Sequence, residues 1–117
     1  MKIAICDDDS AYIKKIESVV RTTLAENNVD ARFDLISDSA QLHDSAEIYD
    51  IAFLDIGMTP YNGLEIAARL KKRNRNIIIF FITSYDDYID DAMDLRVFRY
   101  ISVSYTHLRA HETLRHL

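Results

Sequence analysis

The chain has 117 residues, 49% hydrophobic and 28% charged, with a formal net charge of -5 at pH 7. That length suits a single domain burying roughly 65% of its unfolded surface, and the acidic balance excludes general affinity for nucleic acid. Two glycines and one proline exclude a collagen-like chain, a low-complexity linker or a many-turned β sandwich, and the lone Cys6 excludes an internal disulfide.

Lys2 to Cys6 (KIAIC) reads as a short strand that runs straight into Asp7, Asp8 and Asp9. Three aspartates there do not fit a signal peptide, and no apolar stretch approaches the ~18 residues of a membrane span. With an unpaired cysteine, a reducing cytoplasmic setting is expected. Ile13, Ile16, Val19, Val20 and Leu24 then recur at helical spacing, opposite Lys14, Lys15, Glu17 and Arg21. Asp9 or Ser10 can cap this helix, and Asn27-Asn28 ends it. Ala31 to Ile36 reads as a strand and Ser39 to Glu47 as a short helix. Ile51 to Leu54 (IAFL) is a second continuous apolar run, ending on Asp55. Gly57 to Gly63 is a loop holding the only proline and both glycines.

Asn62 followed three residues later by Glu65 resembles a capping box. Leu64, Ile66, Ala67 and Leu70 carry the next helix into a basic turn. Ile77 to Ile82 (IIIFFI) is the most hydrophobic run and ends on Thr83-Ser84. Ser84 can cap a helix over Tyr85 to Leu95, and Val97 to Ile101 is a last short strand. Charge follows this plan. Five basic residues between Arg69 and Arg75 suit the negative end of a helix, and the acids from Asp86 to Asp94 suit a solvated helix face.

Strand and helix alternate throughout, so right-handed crossovers imply a doubly wound α/β domain with a parallel sheet covered on both faces. The continuous apolar character of IAFL and IIIFFI fits strands buried on both sides. In such a sheet every strand ends at the same edge, where ligands bind. Asp7, Asp8 and Asp9, then Asp55, then Thr83 and Ser84 all fall just past strand ends. Close carboxylates repel by ~4 kcal/mol for charges about 4 Å apart at an effective dielectric near 20. An acidic edge of this kind must therefore protonate one acid or hold a hard cation. Oxygen-only ligands with open positions suit Mg²⁺. Taken singly, each residue also reads as a helix cap or a loop acid.

The strand end ICDDD, FLDIGM around Asp55, the N-G-L-E helix start, FFITSY and the strand FRYI, in this order, resemble the receiver domain of two-component response regulators over Lys2 to about Ile101. ICDDD and ITSYDDY are most similar to receivers of LytTR-type transcription regulators. The resemblance implies a flavodoxin-like five-stranded sheet in the order 2-1-3-4-5. It implies Asp55 as the carboxylate that accepts a phosphoryl group from a sensor histidine kinase. Asp7, Asp8, Asp55 and the backbone carbonyl of Gly57 would hold Mg²⁺. Thr83 would supply a hydroxyl to a phosphoryl oxygen, and Tyr100 would be the aromatic switch. A phosphorylated aspartate would then bias a two-state element and an output domain, with receiver homodimers forming on activation. Such a domain is not a turnover enzyme, does not itself touch nucleic acid and needs no membrane.

The chain departs from the family in two places. Met58-Thr59-Pro60 sets the loop proline one residue late, from which a local loop change without loss of chemistry is expected. Where the family has lysine followed by proline, this chain has Val103 and Ser104. The family lysine acts as a point charge on the phosphoryl group, which valine cannot supply. The stretch SYTHLRAHETLRHL holds three of the four histidines and does not resemble the family's final helix. Its His107 and His111 spacing is not taken as a metal site. Residues 1–102 are therefore expected to be a receiver with its final helix missing or replaced. Residues 103–117 are expected to be a fusion or sequencing scar. Two other readings stay open: a phosphorylation-independent pseudo-receiver, fed by Val103, and an aspartyl-phosphate hydrolase, fed by the D-x-D pair Asp7 and Asp9.

Overall fold

A computed structural model describes residues 1–83 and 99–102 of the chain, Thr83 and the last four by backbone alone. The elements run β1 (Lys2–Cys6), α1 (Ser10–Glu26), β2 (Arg32–Ile36), α2 (Ser39–Asp44), β3 (Ile51–Leu54), α3 (Gly63–Arg73), β4 (Ile78–Thr83) and β5 (Arg99–Ser102). All neighbouring strands are parallel, in the order β2-β1-β3-β4-β5, as the resemblance implies. The expected helix over Tyr85 to Leu95 and the segment after Ser102 lie outside the described residues.

The unbroken apolar runs follow from burial on both faces. Side chains alternate across a strand, so Ile3, Ile5, Phe53, Phe80 and Ile82 meet Tyr12, Ile13, Ile16 and Val20 of α1. The intervening Ala4, Cys6, Ala52, Leu54, Ile79 and Phe81 meet Leu42 of α2 and Ile66, Ala67 and Leu70 of α3. Helices therefore cover both faces, which is the doubly wound arrangement. No helix among the described residues is long and apolar enough to cross a membrane.

Local signals mark most element ends as expected. The Asp9 side chain caps α1, accepting from the N–H groups of Ala11 and Tyr12, and Asn27 ends the helix. Asn62 and Glu65 form the reciprocal capping box at the start of α3, and Lys71, Lys72 and Arg73 occupy its last turn. The second helix is shorter than the sequence pattern predicts. It stops at Asp44 because Ser45 turns extended, at φ -67 and ψ 147, and its hydroxyl accepts the N–H of Glu47.

The chain then dips inward at Tyr49, which is 3% exposed and donates its hydroxyl to Asp34 Oδ2 at 2.7 Å. Tyr49→Phe is expected to cost about 1.5–3 kcal/mol, the worth of one hydrogen bond to a carboxylate. A urea melt at neutral pH checks this as a lowered midpoint with unchanged slope.

Candidate phosphoryl-acceptor site

Strand register brings the first two acidic segments together. Cys6 pairs with Leu54 in the sheet, so the next residues, Asp7 and Asp55, leave adjoining strand ends. The ladder continues one step further, with the Asp55 N–H donating to the Cys6 carbonyl at 3.1 Å and the Asp7 N–H to the Ile36 carbonyl at 3.2 Å. Asp7 is 3% exposed, and its Oδ1 accepts the Asp9 N–H at 2.9 Å. Asp8 is exposed, while Asp55 is half-buried and its Oδ1 accepts the Gly57 N–H at 3.2 Å.

Charge is crowded at this edge. Burial pushes the Asp7 carboxyl up to about 7, against the pull of the Asp9 N–H, and Asp55, Asp9 and Asp8 push it further. Asp55 is also raised, first by burial and then by Asp8, while the N–H groups of Gly57 and Ile56 oppose the rise. The thiol of Cys6 is pushed up to about 12 by burial and by Asp7, Asp8, Asp38 and Asp55, which makes it an unreactive core side chain. The ion pairs Lys2–Glu47, Arg21–Glu17 and Arg32–Asp34 all lie elsewhere. Carboxylates raised chiefly by burial and further by one another are a donor set a hard cation would relieve.

Among the described residues no group of three or more Asp, Glu, His or Cys side chains is placed to hold a metal ion by itself. Mg²⁺ takes one or two carboxylates and fills its other positions with carbonyls, waters and phosphate oxygens. Asp7, Asp8, Asp55 and the exposed Gly57 all lie at this edge, and their oxygen donors are of the kind Mg²⁺ takes.

The loop that carries Gly57 is anchored on either side. Ile56 and Met58 are buried at 0% and 2% exposure, and the Gly63 N–H donates to the Ile56 carbonyl at 3.0 Å. Gly63 lies so close that an added Cβ would stand 2.5 Å from the Asp55 carbonyl oxygen and 3.0 Å from Ile56 Cα. The late proline follows a cis Thr59–Pro60 bond. The backbone of Thr83 ends β4 beside Ser102, and Tyr100 stands beside Phe81. Thr83 is thereby placed at the acidic edge and Tyr100 on the neighbouring strand. Val103 lies outside the described residues.

Sequence reasoning missed Gly63, Ser39 and His43. A glycine directly after a helix-capping asparagine is the one local signal for the first. Nothing local marks the other two. Ser39 is 0% exposed and its Oγ accepts the Tyr61 N–H at 3.1 Å, while the His43 ring stacks on the Tyr61 ring.

Comparison with known proteins agrees with this arrangement. The family model of the response regulator receiver domain matches residues 3–114. The sensory transduction protein LytT of Bacillus subtilis is 27% identical over 115 residues, covering 98% of this chain and 47% of LytT. The chain thus spans about half the length of the curated relatives it matches. The response regulatory domain of mrkE from Klebsiella pneumoniae superposes with a TM-score of 0.79 at 22% identity, covering 100% of this chain and 94% of that one. TrrA of Thermotoga maritima, a response regulator solved in complex with Mg²⁺-BeF, gives a TM-score of 0.67 at 22% identity over 98% of this chain and 96% of its own. Both likenesses speak for the fold. With a family match over nearly the whole length, on the sheet order and strand-end acids described above, the chain belongs to the response regulator receiver domain family.

Proposed function

We propose that Asp55 accepts a phosphoryl group from a sensor histidine kinase in the cytoplasm and that this switches an output domain, transcriptional by analogy with LytTR-type regulators. The observation that carries the reading is the meeting of Asp7, Asp8 and Asp55 at one sheet edge, where burial and mutual repulsion raise Asp7 and Asp55. A raised carboxyl is a more basic oxygen nucleophile once deprotonated. Its oxygen forms the new bond to phosphorus as the bond to the donor nitrogen breaks, and the charge of the transferring group must be absorbed by its surroundings. Asp7, Asp8, Asp55 and the Gly57 carbonyl would hold Mg²⁺, which supplies that neutralising charge when bound. Thr83 would hydrogen-bond a phosphoryl oxygen, Tyr100 would follow Thr83 as the switch, and receiver homodimers would form on activation. The chain receives and slowly loses a phosphoryl group rather than turning over substrate.

Val103 stands where the family lysine would be, so the chain as it stands is expected to bind a phosphoryl mimic weakly. Residues 103–117 are proposed to be foreign to the domain although the family match extends to residue 114, and an uninterrupted native gene through Leu117 would overturn that. Titration with beryllofluoride and Mg²⁺ tests the site. Weak binding, tightened about tenfold or more in Val103→Lys by a charge-assisted contact and lost in Asp55→Asn, is the expected pattern. Micromolar binding by the unaltered chain, or binding retained by Asp55→Asn, would overturn it. Val103 also supports a pseudo-receiver, for which Asp55→Asn would leave partner binding unchanged.

A further inference from the structure

Helix α2 has six residues, too few to hold itself together, yet it is fastened at three points. Leu42 is fully buried in the core. Arg73, at the end of α3, donates from Nη2 to the His43 carbonyl at 3.0 Å. The third fastening reaches the loop after Asp55. His43 stacks on Tyr61 with ring centroids 3.6 Å apart and planes 3° from parallel, and Ser39 Oγ accepts the Tyr61 N–H. Tyr61 is half-buried against the core on this face of the sheet. The loop 57–62 therefore has buried anchors at Ile56 and Met58, a close approach at Gly63, and between them, among the described residues, a lateral support from α2.

We infer that Ser39 and His43 are positioning residues, holding the loop that carries Gly57 in register with Asp55. Among the described residues their contacts with this loop run through Tyr61. Gly57, Thr59 and Pro60 are exposed among the described residues. Losing the clamp would thus loosen Tyr61 and the exposed Thr59–Pro60 stretch, and through it the setting of the Gly57 carbonyl, while the sheet edge stays put. This rests on the reading of Asp55 and Gly57 given above.

Two measurements on the full chain separate the claims. Amide exchange in metal-free protein reads loop order, and an NMR titration with Mg²⁺ alone, followed at Gly57 and Asp8, reads the site. Ser39→Ala and His43→Ala are expected to speed exchange at Tyr61 by about tenfold, the worth of one lost hydrogen bond or ring contact. They are expected to weaken Mg²⁺ binding by about tenfold, as loss of an orienting partner does. His43→Phe keeps the stack and is expected to restore both. Mg²⁺ affinity unchanged in the alanine variants would overturn the positioning role while leaving the site reading intact, as would a His43→Phe variant no better than His43→Ala. Absence of Mg²⁺ binding by the unaltered chain would overturn the site reading. The metal-free exchange comparison would still decide whether α2 clamps the loop.

Discussion

Gly63→Ala is expected to destabilise the chain by about 1–3 kcal/mol, the cost of forcing atoms into a packed interior. In a helix, replacing glycine by alanine ordinarily stabilises by about 0.5–1 kcal/mol. Here the space decides the sign, because the new Cβ would meet the Asp55 carbonyl oxygen at 2.5 Å and Asp55 carbon and Ile56 Cα at 3.0 Å. All three are backbone atoms and cannot rotate away. Gly63 has no positive φ, so the effect is purely one of room. The displaced atoms belong to Asp55 and its neighbour, so Mg²⁺ affinity should fall along with stability. A urea melt showing an unchanged or raised midpoint would contradict the packing argument.

The apo chain is expected to lose stability as pH rises from about 4 to about 7. Asp7 is raised from its ordinary 3.8 to about 7 in the folded state, chiefly by burial. Between those values the folded chain binds more protons than the unfolded one, so stability falls with rising pH. Below about pH 4 the group is protonated in both states and its contribution is fully present. Above about 7 the fold carries a buried carboxylate and the contribution is gone. The loss is expected to be about 1–3 kcal/mol from Asp7, and Asp55 acts in the same direction. Asp7→Asn should flatten much of the slope and raise stability at pH 8. Mg²⁺ should stabilise the unaltered chain at pH 8 far more than the Asn variant. Melts at pH 5 and pH 8 check both statements, and equal slopes in the two proteins would contradict them.

Strand ends were readable in the sequence because both faces of the sheet are covered, whereas the sheet order came only with the family resemblance. IAFL and IIIFFI had to be apolar throughout, and their acids and hydroxyls had to fall at one edge. The capping pair Asn62 and Glu65 was readable because it is local. Ser39, His43 and Tyr61 were not, since 22 residues separate the Ser39 hydroxyl from the N–H it accepts. The same holds for Tyr49, whose hydroxyl finds Asp34 15 residues away, and for Gly63, whose constraint is the backbone of Asp55. The pattern over Ser39 to Glu47 was over-read as one helix, because the extended turn at Ser45 answers to Tyr49 going inward. Tyr12 joins the buried stripe of α1 although its hydroxyl reads as polar.

The central claim is that Asp55 is the phosphoryl acceptor. Its most direct test is the mass of the intact chain after incubation with acetyl phosphate and Mg²⁺. One phosphoryl group per chain is expected, gained slowly by the unaltered protein and faster by Val103→Lys, released by hydroxylamine as an acyl phosphate, and absent from Asp55→Asn. A phosphoryl group that persists in Asp55→Asn, or none in either the unaltered chain or Val103→Lys, would contradict the account.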